Sequence, residues 1–134
     1  MNKWIGAAAV CINNQREVLM VFQGKTKEIK TWSIPSGGVE GGETFEECCI
    51  RELNEETGYI GELIGSHPIK TKNRIEKDIS IKVKYYEVKI IGGSMRIQDP
   101  DELIYDIRWI NLQELRDLNL TFPEDRKFLE GLLE

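Results

Sequence analysis

Glu52, Glu55 and Glu56 stand at positions i, i+3 and i+4 of a helix-like stretch that ends at Gly58. That spacing puts all three carboxylates on one helical face. At about 100° per residue, Phe45, Cys48, Cys49 and Leu53 form the apolar side of the same helix, and the three acids fall on or beside it. Glu46, Glu47, Arg51, Asn54 and Thr57 project away and form the expected solvated side. Like charges drawn partly out of water are costly unless paired or neutralised. Arg51 is near in sequence but projects to one side, so a divalent cation is the expected partner. A solvated acidic helix is the plain alternative, and it leaves the facing of the acids unexplained.

The flanks define the helix. Thr44 followed by Glu47 reads as a capping box, and Gly58 sits where a glycine ends a helix. Before it run Pro35-Ser36-Gly37-Gly38 and then Gly41-Gly42. Glycine pairs permit tight turns and leave carbonyls and amides free to face a metal or a phosphate.

The segment from Gly37 to Tyr59 resembles the signature box of the Nudix hydrolases, MutT-like. Gly37, Glu43, Arg51, Glu52, Leu53, Glu55, Glu56 and Gly58 fill the box positions. Tyr59 stands where an aliphatic residue is usual. Trp32-Ser33-Ile34-Pro35 before the box, and Asp106 to Ile110 with Leu112 to Leu115 after it, are similar to family surroundings. The resemblance implies a metal-dependent hydrolase of a diphosphate joined to another moiety, usually a nucleoside. It assigns Glu52, Glu55 and Glu56 as metal-binding acids, with the Gly37 carbonyl joining them. Such an all-oxygen set suits Mg²⁺ or Mn²⁺. Glu52 is the candidate general base, and Glu52, Glu55 and Arg51 form the catalytic set, with Arg51 orienting a glutamate. Glu43 would support the loop or a second ion, and Glu102 is a further acidic candidate before the last strand. Lys25, Lys27, Arg74 or Lys77 could cover remaining phosphate charge.

The implied substrate is a small nucleotide-type diphosphate. ADP-ribose hydrolases of the family often carry a proline some fifteen residues past the box, and dinucleoside polyphosphate hydrolases a tyrosine. Thr71 to Glu76 has neither, which tilts the expectation toward nucleoside triphosphates or a related nucleotide. Trp4, Trp32 and Tyr86 could stack on a base, but core packing is the competing role for each. Two other functions remain open. One is a Nudix-like module that binds a nucleotide without cleaving it. The other is an isomerase of isoprenoid diphosphates on the same fold, which the position of Cys48 and Cys49 inside the box helix disfavours.

Composition sets the frame. The chain has 134 residues, 40% of them hydrophobic and 31% charged, the profile of one soluble globular domain over 1–134. Its net charge of −5 disfavours a nucleic acid polymer or an anionic membrane as partner. No apolar run reaches spanning length and no leader is visible, so a cytoplasmic protein, monomer or homodimer, is expected. Cys11, Cys48 and Cys49 form neither a disulfide framework nor zinc spacing, and His67 is the sole histidine.

These residues need a scaffold. Strands are expected over 3–12, 17–23, 32–35, 59–65, 79–90 and 105–111, with helices over 45–57 and 112–117 and a last helix, with Pro123 in its first turn, that runs to Leu133. Ser66 to Asp78 reads as a basic loop, and Gly92-Gly93 as a turn. Between Tyr85 and Tyr86 the apolar alternation changes phase, which predicts a β-bulge or a strong bend. Thr121 and Glu124 read as a second capping box. The sum is an α+β fold, and the resemblance makes it a Nudix-type α/β/α sandwich with a curved mixed sheet.

Overall fold

A computed structural model describes residues 2–97 and 103–134. Its elements are β1 (Asn2–Val10), β2 (Val18–Gln23), β3 (Thr31–Ser33), β4 (Ser36–Gly38), α1 (Phe45–Thr57), β5 (Tyr59–Leu63), β6 (Lys70–Glu76), β7 (Ile79–Gly93), β8 (Ile104–Ile110), α2 (Leu112–Asp117) and α3 (Arg126–Leu133). A short 3₁₀ turn, Pro123–Asp125, leads into α3.

β1 is central. It runs parallel to β7 from Asn2↔Ile79 to Val10↔Glu87 and antiparallel to β4 through Gly6↔Gly38, Ala7↔Gly37 and Ala8↔Ser36. β4 is therefore an edge strand of a sheet ordered β4-β1-β7-β5, with β6 also on β7. β3, β2 and β8 form a second, antiparallel sheet. The turn after β1 returns the chain as expected, joined by an Ile12↔Val18 bridge, but β1 and β2 then diverge into different sheets.

Strand alternation sends side chains to two cores. Ala7, Ala9, Leu19, Val21, Tyr86 and Val88 pack with Cys48, Cys49 and Leu53 of α1. Ala8, Val10, Val18, Met20 and Tyr85 pack with Leu115, Leu129 and Leu133 of α2 and α3. The layers are thus helix, sheet, helix, as the α/β/α expectation holds. The small residues of β1 follow from its being covered on both faces.

The same double coverage corrects the reading of β7. Its pairing with β1 runs through Tyr85 and Tyr86 without a shift. Tyr85 enters one core and Tyr86 the other, so the phase change marks a change of covered face rather than a bulge. The irregularity in this strand lies further on, where Ile60↔Gly92 is followed by Gly61↔Ile90. Gly92 and Gly93 extend β7 instead of turning, and Gly93 pairs with Tyr59.

The expected basic loop is also corrected. Residues 70–76 form β6, paired residue by residue with β7 from Lys70↔Tyr85 to Glu76↔Ile79. The tight connection uses Lys77 and Asp78, both at positive φ. No capping box forms at Thr121, whose hydroxyl pairs with that of Thr31 at 2.6 Å. Glu124 turns instead to Lys72 and Arg74. Asn111 and Glu114 supply a capping box, at the start of α2. Among the described residues, no helix is long and apolar enough to cross a membrane.

Candidate active site

α1 is positioned by its caps and its apolar side. Thr44 accepts from the Glu47 amide while Glu47 accepts from the Thr44 amide, a complete capping box. Gly58 closes the helix at φ 82°, a left-handed conformation that glycine adopts without strain. Cys48, Cys49, Leu53 and Thr57 are buried beneath it. Thr57 therefore departs from its expected place on the solvated side; its hydroxyl donates to the Leu53 carbonyl at 2.7 Å. Glu46 keeps its exposed place, and the Tyr86 hydroxyl donates to it at 2.7 Å.

The packing lays the acids against β4. A Cβ on Gly37 would collide with the Glu52 carboxylate, so only glycine lets these two meet. Gly37 lies in strand conformation, without the positive φ that a turn glycine would need. The glycine is required by close approach rather than by a turn. One turn further along α1, Glu56 accepts the Ser36 amide at 3.2 Å. The Gly37 carbonyl faces the Cys48 thiol at 3.5 Å.

Arg51 corrects the expectation that it projects aside. Its Nε and Nη2 bond both oxygens of Glu43 at 2.6 and 2.9 Å. Its Nη1 reaches Glu52 at 2.7 Å and Glu55 at 3.1 Å. Its Nη2 also donates to the Gly38 carbonyl at 3.0 Å, so one guanidinium ties β4 to α1. Glu40 is a looser neighbour at 3.6 Å.

The electrostatics divide the acids. Hydrogen bonds from Arg51 and from the Glu40 amide, with Arg51's charge, lower the Glu43 pKa to about 2. Burial is the largest influence on Glu52 and raises its pKa, with Arg51 opposing and Glu55 and Glu40 adding to the rise. Arg51 is held more firmly protonated, chiefly by Glu43. Burial pushes Cys48 up to about 11, so its thiol is inert at neutral pH.

Glu43, Arg51, Glu52, Glu55, Glu56 and Gly37 are thus brought to one edge of the sheet; Glu102 lies outside the described residues. Among the described residues, no three acidic, histidine or cysteine side chains are gathered tightly enough to hold an ion as they stand. Arg51 holds Glu52 and Glu55 in this arrangement. The donors themselves are all oxygens, three carboxylates and a carbonyl, and they match a hard divalent cation once Arg51 yields.

Lys25 and Lys27 lie exposed in the loop before β3, and Lys77 in the β6–β7 turn. Arg74 lines a cavity of about 240 Å³ that reaches Gly37. Trp32 and Tyr86 are buried, whereas Trp4 is 44% exposed at the mouth of that cavity.

Reasoning from sequence missed a second polar cluster. Asp125 is 5% exposed and accepts the Tyr85 hydroxyl on both oxygens, each at 2.9 Å. Lys72 and Lys70 approach it at 3.2 and 3.4 Å. The alternation of Lys70, Lys72 and Arg74 was the available signal, since a strand presents such a row on one face.

The NUDIX domain family matches residues 3–132, and the chain belongs to it. The chain is similar to an RNA pyrophosphohydrolase of Sphingopyxis alaskensis, 39% identical over 95% of this chain and 89% of that one. It is similar to an 8-oxo-(d)GTP phosphatase of Mycolicibacterium smegmatis, 30% identical over 77% of this chain and 30% of that one. It spans only 29% and 40% of two further relatives, from Caenorhabditis elegans and Mycobacterium tuberculosis. A NUDIX hydrolase structure from Nitrosomonas europaea superposes with a TM-score of 0.83 at 18% identity, covering 96% of this chain and 87% of that one. That likeness concerns the fold.

Proposed function

We propose that this chain hydrolyses the diphosphate linkage of a small nucleotide derivative, by attack of water on phosphorus at the edge of β4. The observation that carries the proposal is the Glu52 carboxylate seated in the space left by Gly37. A half-buried acid set against an edge backbone, among acids that outnumber Arg51, is a costly arrangement that a catalytic site explains.

Glu52, Glu55 and Glu56, with the Gly37 carbonyl, would hold Mg²⁺ or Mn²⁺. Such an ion supplies charge neutralisation on the phosphates and a more acidic water. Glu52, set against the β4 edge where Gly37 leaves space for its carboxylate, takes the proton from the attacking water. Arg51 orients Glu52 and Glu55, and Glu43 anchors Arg51 from behind. The P–O bond to the leaving phosphate breaks as the bond to water's oxygen forms, with the two roughly in line.

The nucleotide class rests on the names of the two relatives above. The net charge of −5 favours a small nucleotide over a polymer. Three unpaired cysteines support the cytoplasm as its compartment. Nucleotide binding without cleavage is the second reading, favoured by the grip of Arg51 on Glu52 and Glu55.

The test is a panel of nucleoside triphosphates, nucleotide diphosphate conjugates and a short 5′-triphosphorylated RNA, with Mg²⁺ or Mn²⁺, in water enriched in heavy oxygen. Hydrolysis should put the label on a phosphate-containing product and stop in chelator. Tight binding of a nucleotide with no product from any substrate would leave the binding module standing and remove the hydrolase.

A further inference from the structure

Trp4 belongs to neither core. Its exposure of 44% contrasts with the 9% of Trp32. The indole is nevertheless held in a defined place. Gly6 and Gly38 are cross-strand partners on β1 and β4. A Cβ on Gly6 would lie 2.6 Å from Trp4 Cη2, and one on Gly38 3.3 Å from Trp4 Cζ2 and Nε1. Two facing glycines therefore form a trough without side chains, and the ring lies in it.

The location joins this ring to the acids. Trp4, Ser36, Gly37 and Phe122 line both the 240 Å³ cavity and a neighbouring groove of about 550 Å³ under the 24–29 loop. Along β1, Trp4, Gly6 and Ala8 share one face, with Ala8 in the core beneath α2 and α3. Ala7 faces the α1 side. Trp4 thus lies on one side of the edge strand β4, and Glu52 on the other. A substrate folded over this three-residue edge meets the ring with one end and the acids with its diphosphate.

We propose that Trp4 is the stacking platform for the nucleobase, a positioning residue that sets where the diphosphate crosses β4. The inference rests on the hydrolase reading above and deepens it. Tryptophan presents a wide π-face with few rotatable bonds, and the glycine trough removes the freedom that stacking would otherwise cost. Stacking accepts any base, so the platform fixes position and leaves the choice of base to polar groups of the cavity.

The experiment compares wild type, Trp4→Leu and Trp4→Phe with two probes, GTP and the base-less diphosphate 5-phosphoribosyl 1-diphosphate. Tryptophan fluorescence and calorimetry read binding without turnover, KM and kcat are measured separately, and melting temperature checks the fold. GTP should quench the wild-type fluorescence, whereas the base-less probe should not. Trp4→Leu should weaken GTP binding and raise its KM by about 5- to 100-fold, with kcat changed far less. Trp4→Phe should recover most of that loss, and the base-less probe should bind all three proteins alike. Equal GTP affinity in wild type and Trp4→Leu would overturn the proposal. Parallel loss of both probes would overturn it as well, since that marks a structural role. If wild type cleaves no diphosphate the hydrolase reading falls, while calorimetric GTP affinity, lost in Trp4→Leu and largely kept in Trp4→Phe, still decides the platform.

Discussion

On the α1 side of the sheet, one cation, Arg51, sits among Glu40, Glu43, Glu52 and Glu55. On the other side, Asp125 and Glu124 meet Lys70, Lys72 and Arg74. Both clusters pin a strand to a helical segment, and both hold acids with little access to water. They differ in balance. Around Asp125, Lys70, Lys72 and Arg74 are matched by Asp125, Glu124 and Glu76, and the Tyr85 hydroxyl donates to both Asp125 oxygens. Around Arg51 the acids outnumber the cation, and burial raises the Glu52 pKa. A balanced buried cluster completes a fold, whereas an unbalanced one keeps capacity for something else to bind.

The strongest way to break this comparison is Glu52→Gln. It should lower turnover by about two to three powers of ten, the range for loss of a group acting in the transition state. In metal-free protein the same change should leave the melting temperature level or slightly higher, because it removes a buried charge. Turnover within tenfold of wild type would remove Glu52 from the chemistry.

Asp125→Ala should show the opposite behaviour. It leaves the Tyr85 hydroxyl without its acceptor and takes the Asp125 carboxylate from Lys70 and Lys72, of which Lys72 keeps Glu124. A loss of about 3 kcal/mol in denaturant unfolding is expected, since breaking a buried pair strands its partners. A cost below about 1 kcal/mol, the level of surface pairs, would show that this cluster does not hold β6 to the turn before α3.

Acid should separate two acids of the Arg51 cluster by sign. The folded pKa of Glu43, about 2, lies below the ordinary carboxylate value. Its contribution to stability is complete above the unfolded pKa and is lost as pH falls toward about 2. Glu52 is raised, so its burial opposes folding at neutral pH, and that penalty fades as pH falls through its folded pKa. Glu43→Gln should therefore destabilise at pH 7, with the difference closing in strong acid. Metal-free Glu52→Gln should be neutral or stabilising at pH 7, its difference also closing in acid. Melting curves of both variants across pH check this, and differences of the same sign at pH 7 would contradict it.

Much of this was legible in the residues. The helix with Thr44, Glu47 and Gly58 was readable because its caps are local, and the acids because their spacing is periodic. Sheet pairing was harder, since it depends on residues distant in sequence. Gly37 read as a turn glycine because nothing in the local string reveals that Glu52 must approach it. Arg51 was misplaced because helical projection gives a direction for Cβ, while a long side chain can curl back to three acids. β6 read as a loop because its cations alternate without an apolar face, and their partners, Glu124 and Asp125, lie some fifty residues away. The phase change at Tyr85 and Tyr86 was visible, but a strand covered on both faces and a bulged strand give the same pattern.

The smallest effect sharpens the comparison most. Glu55 is the least buried of the acids that Arg51 hydrogen-bonds, with 37% of its side chain exposed. Its ion pair with Arg51 is an i, i+4 contact at 3.1 Å, a type worth about 0.3–0.5 kcal/mol. Its charge also repels Glu52 and adds to that group's raised pKa. Glu55→Gln loses the first interaction and relieves the second, so metal-free stability should change by no more than about 0.5 kcal/mol. With Mg²⁺ present the variant should gain less stabilisation than wild type, because an ion binds the folded state through one carboxylate fewer. The exposed Glu62 of β5 is the control, and Glu62→Gln should respond to Mg²⁺ as wild type does. The measurement is melting temperature for the three proteins with and without Mg²⁺. If Glu55→Gln and wild type gain equally from the ion, Glu55 belongs with the balanced acids, and the surplus charge on α1 lies in Glu52 and Glu56.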